Sequence, residues 1–366
     1  MTAYSGPAPL RVVASGVCCA LGYELAAAGP AIAANLDAFA TAGFLTDTGL
    51  PIPIAALPAD RLWGASRLAH WAAWAIRDCM KSACVDLPED AQIAMARSCA
   101  LLLLTPSAEA LEERDIAVDR LPEAVGQLLG LTFSSASRVL PLGEAGLATV
   151  LDQASALLSH APEGRVLVVS VDSLIDTQVI ERMIEDERLR VPGAAHDGFT
   201  PGEAAGAVLL ESAESPMRVV PRGTAEFRIL GWGQAREAAR WDNGVPNRSQ
   251  GLTAAVRAAL SVSGIGVKDI DYRLSDQNGE TFLAREAANA VTRLMVDSSP
   301  DHAPVLITLA DKLGDVGVSV GVVAVAVLHY FAVHDDFRPG QRGLIHLAQD
   351  DGLRCALVVG TSPAAA

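Results

Sequence analysis

The chain has 366 residues, 51% hydrophobic, 19% charged and 5% aromatic, so a large core of mostly Ala, Val and Leu is expected. Its formal net charge of −15 excludes the basic stripe that a nucleic-acid backbone requires and opposes adsorption to an anionic membrane. Residues 1–9 show no basic segment followed by an apolar run, and Gly and Ser interrupt the longest apolar stretch, 316–328. A cytoplasmic chain without signal peptide or membrane span is therefore expected. Cys18, Cys19, Cys79, Cys84, Cys99 and Cys355 lack CxxC spacing, which predicts buried free thiols rather than a zinc site.

In chain order, residues 10–17 (LRVVASGV) read as a strand. Residues 67–83 form an amphipathic helix, with Leu68, Trp71, Ala72, Ala75 and Cys79 at three- and four-residue spacing. Apolar runs at 100–104 and 166–171 read as buried strands, and 146–158 as a buried helix. The acidic run 180–190 reads as a surface helix, and 205–211 as the strand that closes a first half. Residues 227–232 (FRILGW) open a second half with helix, turn and strand over 251–272 and a strand at 305–309. A nearly wholly apolar helix at 318–331 and a closing strand at 355–360 complete it. Strand and helix alternate in both halves, which implies an α/β protein.

Residues 197–211 read DGFTPGEAAGAVLLE. Gly198, Gly202 and Gly206 permit tight turns and close backbone approach, and a short apolar run of the kind buried in a sheet follows. The stretch closely resembles the DGFxxGEGAGxLxLE signature of the β-ketoacyl synthases, condensing enzymes of the thiolase fold. The resemblance covers residues 10–360. It implies two similar βα halves, 10–215 and 216–362, stacked as α-β-α-β-α layers. It also implies a dimer formed through the strand after the nucleophile helix, residues 166–171.

In that family a cysteine in TACASGLxAL opens a long buried helix, whose dipole and N–H groups lower the thiol pKa and cradle the acyl oxygen. The matching segment here is 141–150, PLGEAGLATV, which puts Gly143 at the nucleophile. The first family histidine, in NAHGTGT, falls on Asn278 within Asp276-Gln277-Asn278-Gly279-Glu280-Thr281. Asparagine donates hydrogen bonds but cannot shuttle protons near neutral pH. The second histidine, in KSxxGHxxGAAG, falls on Asp315; the family lysine position is Ala310, with Lys312 two residues later. The GFGGxN gate gives way to Gln349-Asp350-Asp351-Gly352.

Loss of all these positions together implies a member that kept the fold without the Cys-His-His chemistry. The polar residues Glu144, Asn278, Glu280, Lys312 and Asp315 are expected to converge at strand ends, facing the helix after Gly143. They form either a salt-bridge cluster filling an obsolete pocket or an acid/base site on Asp315 and Glu280. No cofactor or metal is implied. His70 reads as a helix-face residue, His334-Asp335-Asp336 as a solvated loop, and 314–317 fails as a phosphate loop because Asp315 repels phosphate.

The function implied is a non-catalytic adaptor or accessory subunit, a homodimer or a heterodimer with a ketosynthase-like chain. Two kinds of relative fit. One is the chain-length factor that pairs with an active ketosynthase. The other is the thiolase-like adaptor of bacterial type VI secretion effectors, whose DxNGE and GDVG segments resemble 276–280 and 314–317. The alternative is an acyltransferase of the β-ketoacyl synthase type that uses a displaced residue such as Ser173 or Cys99. Acyl carrier protein is acidic and docks on basic patches. The net charge opposes that partner unless Arg218 with Arg222, or Arg338 with Arg342, forms a local patch.

Overall fold

The computed structural model describes residues 7–46, 48–58, 61–85, 87–191, 193, 197–215, 225–296, 303–334 and 339–362. The N-terminal part runs β1 Leu10–Cys19, α1 Leu25–Ala33, β2 Ala40–Leu45, β3 Pro51–Ile54, α2 Gly64–Ala83, α3 Glu89–Ser98 and β4 Ala100–Thr105. It continues with α4 Ala108–Glu113, α5 Leu121–Leu129, β5 Arg138–Pro141, α6 Leu147–His160, β6 Val166–Ser173, α7 Thr177–Glu185 and β7 Glu203–Ser212. The C-terminal part runs β8 Glu226–Arg236, α8 Gln250–Ser263, β9 Tyr272–Ser275, α9 Thr281–Leu294, β10 Val305–Thr308 and α10 Ala310–Leu313. It ends with α11 Val320–Val333, β11 Arg342–Ala348 and β12 Leu353–Ser362.

Ten strands form one continuous ladder in the order β10-β9-β11-β12-β8-β1-β7-β6-β4-β5. Read outward from its centre, each side repeats the other. β1-β7-β6-β4-β5 matches β8-β12-β11-β9-β10, parallel among the outer three strands and antiparallel among the rest. The two sides meet where Leu10, Arg11 and Val12 pair with Ile229, Arg228 and Phe227.

Helices α6 and α11 lie between the two sides and share one apolar cluster with strands of both. Twelve residues of α11 are buried, all but Tyr330 and Val333, which is why its sequence is apolar almost all round. Helix α2 covers the outer face of β1, β6 and β7, and α8 with α9 covers that of the C-terminal strands. The resulting layers are α-β-α-β-α. At the centre, a Cβ on Gly206 of β7 would stand 2.7 Å from Val323 N and 2.9 Å from Val322 C, so sheet and buried helix meet there only because the residue is glycine.

Two expectations fail. Residues 166–171 are not at an edge: β6 pairs with β4 on one side and β7 on the other, and every residue of it is buried. A run apolar at successive positions marks a strand covered on both faces, and says nothing of whether it is paired along both sides. The ladder's edges are β5 and β10, four residues each. The surface helix at 180–190 is also displaced. α7 begins at Thr177, capped by Asp176, and ends at Glu185; beyond it Leu189 turns into the core and Arg188 into the interior. The six cysteines are free and buried.

Candidate functional site

The parallel strands β4, β6, β9 and β11 end on one side of the molecule, where α6 and α11 begin. A cavity of about 550 Å³ opens there, lined by Gly143, Glu144, Asp172, Asp276, Asn278, Asp315 and Gln349 among others. Its wall also carries Leu174, Val179, Met183, Phe199, Val318 and Trp241. Polar strand ends over an apolar wall are the usual setting for a ligand in an open α/β sheet.

Gly143 precedes the short 3-10 turn that feeds α6, at φ 74° and ψ −175°. Only glycine adopts that backbone without strain. A Cβ there would lie 2.5–2.7 Å from the carboxamide atoms of Gln349, and Gln349 Oε1 accepts the Ala145 N–H at 3.2 Å. No thiol, hydroxyl or amine extends from this position.

Asn278 donates through Nδ2 to Asp315 Oδ2 at 2.7 Å and to Glu280 Oε2 at 3.0 Å, while its Oδ1 accepts the Glu280 N–H at 3.0 Å. Glu280 is gripped by Arg188 through two bonds of 2.7 and 2.8 Å, and the same guanidinium reaches Asp350 at 2.7 Å. Arg188 also lies over the Trp241 ring, 4.7 Å from its centroid. Asp315, Asn278, Glu280, Arg188 and Asp350 thus form one wired set. Lys312 does not join it. Its Nζ donates to Asp311 at 2.7 Å and to the Thr308 carbonyl at 3.1 Å, away from the cavity, because α10 ends at Leu313 and Gly314 turns the chain before Asp315.

The cavity holds more acid than base. Burial, then nearby Asp315, Asp276, Asp350 and Asp172, keeps the Glu144 carboxyl well above the usual carboxylate range. Among the described residues that carboxyl has no hydrogen-bond or ion partner. Burial raises Asp276 to about 7 despite the Ala348 N–H it accepts, and raises Asp315 to about 6 despite Asn278 and the Gly317 N–H. The four arginines of the wall are each paired: Arg114 with Asp172, Arg182 with Glu113 and Asp186, Arg188 with Glu280 and Asp350, Arg240 with Asp242. No group of three or more His, Cys, Asp or Glu among the described residues has the geometry to hold a metal ion.

The displaced nucleophiles fare badly. Ser173 donates to Glu203 at 2.7 Å, burial pushes the Cys99 thiol up to about 11, and neither lines the cavity. Cys99 is fully buried in the apolar cluster under α2, which leaves it a packing residue. His70 donates to the Ser66 carbonyl one helical turn back. His334 stacks on Tyr330 at 4.0 Å; Asp335 and Asp336 lie outside the described residues, as do Arg218, Arg222 and Arg338. Arg342 faces Asp269 at 3.6 Å.

The glycine signature is the strap of this site. Asp197 accepts the Thr281 N–H at the start of α9, and a Cβ on Gly279 would stand 2.6 Å from Gly198 O. Gly202 N–H donates to Asp315 O, and Asp315 N–H to Thr200 O, both at 2.7 Å. The loop carrying Asn278 and the loop carrying Asp315 are therefore both laced to 197–202. Sequence reading missed Arg188, Asp172 and Arg114. An acid closing a buried parallel strand was a usable signal for Asp172; nothing local marked Arg188.

No protein-family model and no curated protein matches the chain. Solved structures do. The ketosynthase of a type II polyketide synthase, in complex with its acyl carrier protein, aligns with a TM-score of 0.77 at 13% identity, over 97% of this chain and 99% of that one. The ishigamide ketosynthase/chain length factor gives 0.74 at 17% identity, over 98% and 100%. A ketosynthase in complex with its chain length factor from Xenorhabdus doucetiae gives 0.68 at 13%, over 98% and 100%. The chain therefore has the thiolase-like fold of ketosynthases and chain-length factors, and identities this low speak for fold alone.

Proposed function

We propose that this chain is an accessory subunit of the ketosynthase type, made of halves 10–215 and 216–362, that forms no acyl-enzyme and acts by pairing with a ketosynthase-like chain. One observation carries the proposal. The short 3-10 turn that feeds the buried helix α6 is entered from a glycine at φ 74°, with the Gln349 carboxamide in the space a nucleophile's side chain would need. The two histidine positions suggested by the family pattern hold Asn278 and Asp315, bonded to each other and hence engaged rather than open to substrate. The chain-length factors among the structural neighbours support a pairing role. The natural pairing element is β5, a four-residue strand that among the described residues is bonded to β4 alone and open along its other side. An acyl carrier protein is the less favoured partner, since the net charge is −15.

A second reading, an adaptor for a secretion effector, has one specific point in its favour. The two segments that resemble such adaptors are the two that meet at the Asn278–Asp315 bond. Light scattering on the purified chain, alone and coexpressed with any ketosynthase found encoded beside its gene, tests the pairing. A homodimer or a one-to-one complex is expected, and proline in place of Val139 on β5 should abolish it. A strict monomer that ignores the ketosynthase would overturn the proposal.

A further inference from the structure

We propose that Gln349 is a built-in occupant that closes the head of the cavity, a contact by which the C-terminal half plugs the turn leading into the N-terminal half's buried helix. The first N–H groups of a helix have no partner within it. Here the buried helix is entered through a 3-10 turn whose capping residue is Gly143, which has no side chain, and the Ala145 N–H goes instead to Gln349 Oε1, 204 residues away in sequence. The chemistry of the plug suits its surroundings. Glu144, Asp172, Asp276, Asp315 and Asp350 all line the same space, so another anion is repelled from it, whereas a neutral carboxamide oxygen accepts the bond without adding charge. Any other neutral carbonyl reaching Ala145 must first displace Gln349.

The plug is held by its backbone and free in its side chain. Gln349 N–H donates to Leu353 O at 2.9 Å, Gly352 N–H to Gln349 O at 3.0 Å, and Arg354 Nη1 to the same carbonyl at 2.7 Å. The carboxamide itself rests on one bond of 3.2 Å, so opening requires rotation of a single side chain and no movement of the turn. A side chain at 143 and this rotamer exclude each other, because Cδ, Oε1 and Nε2 all lie within 2.7 Å of the missing Cβ. The contact belongs to the cavity, so it stands or falls whatever protein the chain pairs with.

Amide hydrogen exchange on the purified chain tests it. In Gln349→Ala the Ala145 N–H should exchange at least about fivefold faster than in the parent chain, while α6 beyond Ala148 is unchanged. A second arm introduces a thiol. Gly143→Cys combined with Gln349→Gly should fold and be alkylated by iodoacetamide. Gly143→Cys alone should either melt below that double variant or lose protection at Ala145. Equal exchange at Ala145 with and without the Gln349 side chain would overturn the proposal, as would Gly143→Cys at full stability with Ala145 still protected.

Discussion

Replacing Arg188 by methionine is expected to destabilise the chain by about 3 kcal/mol, a fall in Tm of about 4 °C at this size. The arginine is nearly enclosed, with side-chain exposure of 11% against 13% for Glu280, and it joins three elements distant in sequence. Its loss leaves the Glu280 carboxylate enclosed without a cation beside it, 3.0 Å from the amide that also serves Asp315. The cost arises from the stranded carboxylate more than from the lost attraction, so Arg188→Met with Glu280→Gln should recover much of it. Asp350 is 58% exposed, and Asp350→Asn should cost under about 1 kcal/mol. Thermal melts of the three variants against the parent chain check the ranking. If Arg188→Met costs no more than Asp350→Asn, the wired set does not hold the site loops together.

Stability should also fall as pH rises from 6 to 8. Asp276 and Asp315 titrate near 7 and near 6 when folded, against 3.8 in the unfolded chain. Across that window the folded state holds protons that the unfolded state has released, so each ionisation favours unfolding. A carboxyl carried from 3.8 to about 7 loses up to about 4 kcal/mol of stability by the time it has ionised. Glu144 acts in the same direction. The buried histidines act in the opposite one. Burial holds His329 at about 4 and His346 at about 3, so the unfolded chain alone takes up their protons below about 6.5, and that stability is lost as pH falls. Asp276→Asn with Asp315→Asn isolates the acid limb. This variant should gain most on the parent at pH 8, less at pH 5 and little below about pH 4. A parent Tm equal at pH 6 and 8 would contradict the raised carboxyls.

The fold was legible because its strongest signals are long and apolar. Strands β1, β4, β6, β7 and β12 and helices α6 and α11 are buried runs whose composition marks them without any partner in view. The hairpin β2–β3, the four-residue β5 and the small helices α4 and α10 were illegible, since pairing and tertiary contact rather than propensity define them. The site was half legible. Asn278, Glu280 and Asp315 followed from the spacing of two motifs, and they meet. Lys312 was misplaced because α10 ends at Leu313 and Gly314, at φ 70°, turns the chain before Asp315, so the two side chains meet different neighbours. Arg188 and Gln349 reach the cavity across gaps of 92 and 204 residues, which no local pattern encodes. The stretch 197–211 has a mechanical part in the site: it laces both site loops to β7.

Intact mass spectrometry after incubation with acetyl- and malonyl-CoA tests the central claim most directly. With Gly143 at the head of the helix and Gln349 over it, the chain should keep its unmodified mass and leave malonyl-CoA intact. A stoichiometric acyl adduct on a residue lining the cavity, abolished when that residue is replaced, would contradict it.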